Sequence, residues 1–381
     1  MVRIVVAAEI VPDEHRVAIV PEVIPLYIGA GLQVVVQSGA GRYALVADEA
    51  FAKAGAEVVD AVEAATVDVL LHVRPLNPAV VKKLRPGAIT VGVCSPSSQL
   101  AAVRALRDRK ITSFAPDLVP RIARAQAVDV LSSQAFVAGY RGVLEAAVRL
   151  PRLFPLSMTA AGTLPAAKVL VLGAGVAGLQ AIATAKRLGA VVAAYDVRPA
   201  TVDEVRSVGG TFVDLDLESA DGGGGYAVVR SPARANRQQE LLTPHVAECD
   251  VLITAAAVPG RPAPRLVTKT MLRAMRPGSV VVDLSAEIGG NVEGVRPGEE
   301  VEVEVRGGGV VRVLGLKDAA SALPVDASRL YARNLAELLL MMTKDGEIVP
   351  DFDDEIVGGT CLTHDGVVRH GPTAALLRGG T

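Results

Sequence analysis

The chain has 381 residues, which is enough for two or three domains, and half of them are hydrophobic. Only 3% are aromatic and Trp is absent, so the apolar content is mainly Ala, Val and Leu, which suits parallel strands buried on both faces. A net charge of −2 argues against a nucleic-acid partner, and because no apolar run approaches about 18 uninterrupted residues we expect no bilayer span.

The first region of the chain, to about residue 120, alternates short apolar runs with helical stretches. Strands are predicted at residues 3–8, 33–37, 67–72 and 88–93, with helices at residues 20–30 and 48–54 between them. This alternation is typical of a doubly wound α/β sheet. The turn after the first strand, residues 9–12, lacks a glycine fingerprint. We therefore predict a Rossmann-like topology that does not hold cofactor phosphates.

Two long helices are predicted to connect this region with a second α/β region. The first covers residues 128–150 and carries Ala, Gly and Ser on one side, which permits close packing or a crossing between domains. The second covers residues 327–342 and returns the chain toward the first region, after which short strands are predicted at residues 355–357 and 366–369.

The most informative segment is a glycine turn between two predicted strands, residues 169–172 and 190–195. It reads Gly173-Ala174-Gly175-Val176-Ala177-Gly178, and a predicted helix over residues 179–188 follows. In such a turn the first glycine allows a tight bend, the second leaves room for a pyrophosphate, and the third lets the helix pack closely on the strand. The helix N-terminus then faces the phosphate charge. The turn predicts dinucleotide binding, and an ordinary βαβ unit without a ligand is the alternative.

Asp196 ends the second of these strands, about 20 residues beyond the turn. A carboxylate at this position can accept both hydroxyls of an adenosine ribose, whereas a 2′-phosphate would meet like charge. The acid therefore favours NAD(H) over NADP(H) as the cofactor.

The predicted fold class is α/β, with two Rossmann-like doubly wound domains joined by long helices and a cofactor cleft between them. The first domain comprises residues 1–127 plus about 335–381, and the NAD-binding domain with its connecting helices comprises residues 128–334. Residues 219–232 (SADGGGGYAVVRSP) predict a mobile surface loop, because four consecutive glycines raise backbone entropy. The loop is either a disordered connection or a lid over the cofactor with Tyr226 as its apolar contact.

Cysteine and histidine usage predicts no metal site. The three cysteines, Cys94, Cys249 and Cys361, lie far apart, and the five histidines do not cluster. We expect ordinary buried thiols in a reducing compartment.

Several separated motifs resemble domain I, the NAD(H)-binding component, of proton-translocating nicotinamide nucleotide transhydrogenase. The most specific is RIARAQAVDVLSSQAFVAGYRGVLEAA at residues 121–147, because general Rossmann enzymes do not carry it. The others are the glycine-turn segment at 169–200, GGYA at 224–227, DVLITAAAVPGRPAP at 250–264, MRPGSVVVDLSAEIGGN at 275–291 and DASRLYARNLAELL at 326–339. The resemblance covers most of the chain, and alanine dehydrogenase shares the overall plan.

The resemblance implies a set of contacts to NAD(H). A polar segment would hold the nicotinamide end in the interdomain cleft through Arg121, Ile122, Ala123, Gln126, Asp129 and Ser132. Of these, Arg121, Gln126 and Asp129 would also act in catalysis. The glycine turn contributes Gly173, Gly175, Val176, Ala177 and Gly178, and the adenosine-ribose site contributes Asp196, Val197 and Arg198. The mobile loop contributes Gly225, Tyr226 and Gln238, and Ala257 falls where family members more often have a larger aliphatic residue beside the nicotinamide.

Simpler interpretations exist for some residues of the polar segment. Gln126 and Asp129 would also suit a helix N-terminus with an ordinary cap, and Arg121 would suit a solvated charge.

The resemblance also implies an enzyme that transfers hydride between NADH and NADP(H) bound on a partner subunit, coupled to proton translocation by membrane subunits. Such a transfer needs no general acid, base or metal, only two rings held at short range with water excluded. The chain would form a homodimer and lie in the cytoplasm, peripheral to the inner face of the membrane through its partner subunits.

Two other functions stay open. In soluble NAD-dependent amino-acid dehydrogenases of the alanine dehydrogenase type, a Lys and a His of the first domain bind and protonate the oxo-acid. Here residues 72–78 offer Arg74 in place of the Lys, residues 92–98 offer no His, and Arg16 matches both families. A non-catalytic NADH-sensing module is the third possibility, because residues 315–324 depart from the family's usual Asn-Val-Pro-Ser-Arg-like stretch.

Overall fold

The computed structural model describes residues 1–215, 221–222, 226–227, 232–258 and 260–379. Fifteen strands form two large sheets within these residues: β1 (Arg3–Val6), β2 (Gln33–Gln37), β3 (Glu57–Val59), β4 (Val69–His72), β5 (Ile89–Gly92), β6 (Thr112–Phe114), β7 (Lys168–Leu172), β8 (Val191–Tyr195), β9 (Thr211–Phe212), β10 (Val251–Thr254), β11 (Val280–Asp283), β12 (Glu300–Glu304), β13 (Val310–Gly315), β14 (Cys361–His364) and β15 (Val367–Val368).

The α-helices are α1 (Ile24–Gly29), α2 (Asp48–Lys53), α3 (Pro78–Val81), α4 (Leu100–Asp108), α5 (Val130–Arg149), α6 (Val176–Arg187), α7 (Thr201–Ser207), α8 (Pro232–Glu248), α9 (Lys269–Leu272), α10 (Pro324–Met341), α11 (Glu355–Thr360) and α12 (Gly371–Gly379). Short 3₁₀ segments lie at Pro21–Val23, Arg42–Ala44, Ala64–Thr66, Pro116–Leu118, Ala123–Val128 and Ala286–Ile288. Antiparallel ribbons pair Ser157–Thr159 with Gly162–Leu164, Asp221–Gly222 with Tyr226–Ala227, and Thr343–Lys344 with Glu347–Ile348. No helix among the described residues is long and apolar enough to cross a membrane.

The first sheet has the strand order β15-β14-β6-β5-β4-β1-β2-β3. Strands β1 to β6 are parallel to one another, and β14 and β15 add antiparallel strands at one edge. Its two faces belong to separate cores, since Ile4 and Val6 pack with α10 residues while Val5 packs with α4 residues. Alternate residues of one strand are thus buried on opposite faces, as a doubly wound sheet requires.

The second sheet has the order β9-β8-β7-β10-β11-β13-β12 and is parallel except for β12. Val169 and Val171 of β7 pack with α5 and α6, while Leu170 and Leu172 pack with α8 and α9. Both sheets share the Rossmann order, in which the strand order reverses between the first and fourth strands of the sheet. The predicted α/β class with two doubly wound domains is confirmed.

The chain divides by Cα proximity into two compact units. One comprises Met1–Gln134 with Ser321–Thr381, and the other comprises Ala135–Ala320. The domain boundaries predicted from the sequence, near residues 127 and 334, stay a prediction.

One sequence prediction is wrong. Residues 355–357 are not a strand but the start of helix α11, and the Asp354 side chain caps that helix by accepting the backbone N–H groups of Ile356 and Val357. A short apolar run does not distinguish strand from buried helix, and the capping Asp decides the outcome.

Candidate functional site

The glycine turn of the second unit adopts the geometry that its three glycines predict. Gly173 has a φ of +100°, and its N–H donates to the carbonyl of Tyr195 at 2.8 Å. A Cβ at Gly178 would overlap the carbonyl oxygen of Gly173, so helix α6 packs directly on the turn. A Cβ at Gly175 would meet nothing within 4 Å. The backbone at Gly175 is therefore open to a ligand, and the N-terminus of α6 begins at the next residue.

Helix α5 braces the start of α6. A Cβ at Gly139 would overlap the carbonyl oxygen of Ala177, and a Cβ at Gly142 would lie 2.8 Å from Cδ2 of Leu284. The small residues predicted on one side of this helix are thus used for close packing within the second unit. Such packing keeps the first turn of α6 in place.

Asp196 lies beside the glycine turn with both carboxylate oxygens engaged. Oδ2 accepts the backbone N–H of Ala174 at 2.7 Å. Oδ1 accepts the backbone N–H of Arg198 at 2.9 Å and its Nε at 3.0 Å. A ribose could form two hydrogen bonds here if the Arg198 guanidinium moved aside, because Ala174 and the Arg198 backbone would still orient the carboxylate.

The segment at residues 121–132 belongs to the first unit. Arg121, Ala123 and Gln126 are exposed, and a 3₁₀ segment runs from Ala123 to Val128. Asp129 caps helix α5, since its Oδ1 accepts the Ser132 N–H at 2.9 Å and its Oδ2 accepts the Ser132 hydroxyl at 2.6 Å. The simpler interpretation as a helix cap therefore describes Asp129 in this structure.

A residue that sequence reasoning missed holds this segment from helix α10. Nδ2 of Asn334 donates to the Ala127 carbonyl at 2.6 Å, and its Oδ1 accepts the Ser133 hydroxyl at 2.6 Å. The motif at residues 326–339 contains Asn334, but the sequence alone does not indicate which groups that side chain contacts.

The remaining predicted contacts divide between described and undescribed residues. Gly225 lies outside the described residues, and Tyr226 belongs to a two-residue strand. Gln238 is buried in helix α8, and Ala257 is exposed in the loop after β10. Among the other predicted contacts, Ile122 and Val197 are half-buried and Val176 is exposed.

A buried ion-pair cluster includes Arg74, which lies two residues beyond the carboxyl end of β4, one of the two strands between which the strand order of the first sheet reverses. Glu14 is fully buried, and its Oε2 lies 2.6 Å from both Arg16 and Arg74. Arg16 also donates to Gln134 at 2.8 Å. Burial alone would raise the pKa of Glu14, but the hydrogen bonds and charge of Arg16, with the charge of Arg74, lower it to about 2.

All three cysteines are free and buried, as the sequence predicted. Within the described ranges no group of three His, Cys, Asp or Glu side chains could hold a metal ion.

These features define the class of protein: an α/β protein whose second sheet carries a dinucleotide-type glycine turn and a ribose-type acid. Comparison with known families agrees. Residues 5–138 match the alanine dehydrogenase/PNT N-terminal domain, and residues 142–371 match the alanine dehydrogenase/PNT C-terminal domain. The chain belongs to the alanine dehydrogenase/PNT family.

Individual relatives point to one branch of that family. The chain is 43% identical over 380 residues to the first part of NAD(P) transhydrogenase subunit alpha of Rhodospirillum rubrum, covering 97% of this chain and 98% of that relative. It also resembles the crystal structure of transhydrogenase from Sinorhizobium meliloti, with a TM-score of 0.84, 43% identity, and coverage of 97% and 99% of the two chains. Alanine dehydrogenase of Mycobacterium tuberculosis is 31% identical over 300 residues, covering 77% of this chain and 75% of that enzyme.

Proposed function

We propose that this chain is the NAD(H)-binding subunit of a proton-translocating transhydrogenase, an oxidoreductase that works in a complex. Hydride would pass between NADH held on this chain and NADP⁺ held on a partner subunit, and membrane subunits would couple the transfer to proton movement. The similarity over nearly the whole chain to a relative named as a portion of transhydrogenase subunit alpha supports this proposal.

The observation that carries the nucleotide half of the proposal is the open backbone at Gly175 beside the engaged carboxylate of Asp196. Gly175 and the N-terminus of α6 would hold the pyrophosphate. Asp196 would accept the ribose hydroxyls, and Val197 and Arg198 would flank the adenosine. The residues present in this unit fit the adenosine half of NAD(H).

A bound nicotinamide supplies the hydride, which carries two electrons and one proton together. The chain has only to bind the nucleotide, orient its ring and exclude water. We assign the orienting contacts to Arg121, Gln126, Asp129 and Ser132. None of these residues has to give or take a proton, so the proposal needs no catalytic base.

The ion-pair cluster of the first unit argues against the amino-acid dehydrogenase alternative. Arg16 and Arg74 are the cations that an oxo-acid would need, and both contact the carboxylate of Glu14. An oxo-acid would have to displace that buried carboxylate, and residues 92–98 contain no His to protonate it.

Nucleotide titration tests the binding half of the proposal. NADH should bind at least about tenfold more tightly than NADPH, because a 2′-phosphate would face the Asp196 carboxylate. Arg198→Ala should increase the preference for NADH over NADPH, since it removes a cation on that carboxylate that could attract a phosphate. Asp196→Ala should reduce the preference for NADH over NADPH. Equal affinities of the wild-type chain for the two nucleotides, measured by calorimetry, would refute the assignment of NAD(H).

Mixing the chain with the NADP(H)-binding partner subunit tests the transfer half. NADH oxidation coupled to NADP⁺ reduction should require both proteins. An active partner from a related transhydrogenase that supports no transfer with this chain would refute the transhydrogenase role while leaving NADH binding intact.

A further inference from the structure

The loop that follows β10 packs on the glycine turn. A Cβ at Gly173 would lie 2.8 Å from the nitrogen of Ala256, so the peptide joining Ala255 and Ala256 is in direct contact with the turn. Strands β7 and β10 are the two neighbours between which the strand order of the second sheet reverses. Ligands bind at this point of open α/β sheets, and the loop after β10 therefore borders the same crevice as the glycine turn.

A single buried asparagine fixes this loop at three atoms. Asn291 is fully buried. Its Nδ2 donates to the carbonyls of Ala256 and Pro264, both at 2.8 Å, and its Oδ1 accepts the Ala256 N–H at 3.0 Å. The two ends of the segment from Ala256 to Pro264 are thus held by one amide, whose planar donor and acceptor pattern matches them.

Asn291 is itself fixed by a buried carboxylate. Asp283, at the end of β11, accepts the N–H groups of Asn291 at 2.7 Å, Val292 at 3.0 Å and Ser285 at 2.8 Å. The Ser285 hydroxyl then donates to the Ala256 carbonyl at 3.2 Å. The carboxylate, the amide and the hydroxyl form one network that ends on the Ala256 peptide.

We infer that Asn291, held by Asp283, is a positioning residue that sets where the loop of residues 256–264 stands relative to the nicotinamide end of the nucleotide. Ala257 is the exposed residue next to the fixed peptide, so a shift of that peptide moves Ala257 directly. Asn291 touches neither the glycine turn nor Asp196 through any of these bonds. We therefore expect its effect to be larger on the nicotinamide half of the nucleotide than on the adenosine half. The aspect of this inference that concerns hydride transfer rests on the proposed function.

The experiment compares three variants with the wild-type chain. Asn291→Asp keeps the shape and the acceptor but removes both donations, and Ser285→Ala removes only the weaker contact to Ala256. Val313→Ala truncates a buried core side chain of the same unit that takes part in none of these hydrogen bonds. Affinities for NADH and for ADP-ribose, which lacks the nicotinamide, are measured beside thermal melting. The single-turnover rate of hydride transfer is measured with the NADP(H)-binding partner.

For Asn291→Asp we expect ADP-ribose affinity within about twofold of wild type and a hydride-transfer rate lower by about tenfold or more, because small misplacements of a reacting ring are costly. The ratio of NADH to ADP-ribose affinity should fall as well, and Ser285→Ala should change the same quantities less. Val313→Ala should lower the melting temperature without changing that ratio.

Two outcomes would overturn the inference. In one, the affinities for ADP-ribose and NADH fall together in Asn291→Asp, as in a general loss of folding. In the other, neither the affinity ratio nor the rate changes. If the wild-type chain shows no hydride transfer at all, the proposed function fails, and the ratio of the two affinities still decides the role of Asn291.

Discussion

At the scale of single residues, the buried carboxylates of this chain differ in what they face. Glu14 faces two guanidinium groups, which hold its pKa near 2 against the effect of burial. Asp283 faces backbone N–H groups, and burial raises its pKa despite them. The ionised form of Glu14 therefore stabilises the folded chain. Ionisation of Asp283 instead lowers the stability of the folded chain, although the carboxylate orients the loop that contains Asn291.

The loss of stability at acidic pH should reveal the contribution of the Glu14 carboxylate to folding. Its pKa falls from 4.5 to about 2 on folding, so its contribution is fully present above about pH 4.5 and is lost as pH falls toward 2. Glu14→Gln should lower the free energy of unfolding by roughly 3 kcal/mol at pH 7, because it leaves two cations facing an uncharged amide. The difference between the two proteins should shrink by about half at pH 3. Chemical denaturation at several pH values measures it.

A matched control uses an exposed ion pair. Glu240 pairs with Arg237 at 3.2 Å, and both side chains are mostly exposed. Glu240→Gln should therefore change stability little at any pH. A constant difference between wild type and Glu14→Gln from pH 7 to pH 3 would show that Glu14 does not titrate as described.

Gln126 tests the assignment of the nicotinamide contacts. Its side chain is exposed on the 3₁₀ segment that Asn334 holds through Ala127. Gln126→Asn should leave NADH affinity within a few-fold, since the glycine turn and Asp196 are the groups proposed to hold the adenosine half. The single-turnover rate of hydride transfer should fall about tenfold or more. Fluorescence titration and stopped-flow measurements separate the two quantities. Equal losses in both would make Gln126 a plain binding residue, and no loss in either would make it an ordinary polar residue near a helix end.

At the scale of elements, two glycines of one turn should behave in opposite ways. Gly178→Ala should lower the free energy of unfolding by about 1–3 kcal/mol, because its Cβ would overlap the Gly173 carbonyl. Gly175→Ala should change it by less than about 0.5 kcal/mol, because its Cβ meets nothing and its φ of −77° suits alanine. NADH affinity of Gly175→Ala should nevertheless fall at least about tenfold, since the methyl group would occupy the space of the pyrophosphate. Chemical unfolding and NADH titration of both variants measure these changes. Unchanged NADH affinity in Gly175→Ala would show that the phosphates bind elsewhere.

Elements could be predicted from the sequence where local chemistry decides them. The glycine turn, its strands and helix α6 follow from residue spacing within about 30 residues. Helix α11 could not be separated from a strand by its short apolar run alone. Asn291 and Asn334 escaped notice because their partners, Pro264 and Ala127, are 27 and 207 residues away in the chain. Nothing local in an asparagine indicates which distant carbonyl it holds.

At the scale of the whole molecule, the two sheets share one strand order but differ in the residues at the point where that order reverses. In both sheets the strand order reverses between the first and fourth strands, where parallel sheets bind ligands. In the second sheet this point presents open backbone at Gly175, whereas in the first Arg74, which follows β4, is paired with the buried Glu14 carboxylate together with Arg16. The molecule therefore repeats a topology without repeating a site, and binding of the nucleotide phosphates is expected of the second unit alone.

This asymmetry predicts how the isolated chain treats amino acids. Supplied with NAD⁺ and alanine, or with NADH, pyruvate and ammonia, the purified chain should show no turnover, although it should bind NADH. An oxo-acid would have to compete with the buried Glu14 carboxylate for Arg16 and Arg74, and residues 92–98 provide no histidine to transfer a proton. The measurement is NADH absorbance over time, with an authentic alanine dehydrogenase as the positive control and the Asp196→Ala variant as the control for nucleotide-dependent signal. Steady alanine oxidation that disappears in Asp196→Ala would assign the chain to the dehydrogenase branch of its family. It would also mean that the Glu14 carboxylate leaves both arginines whenever substrate binds.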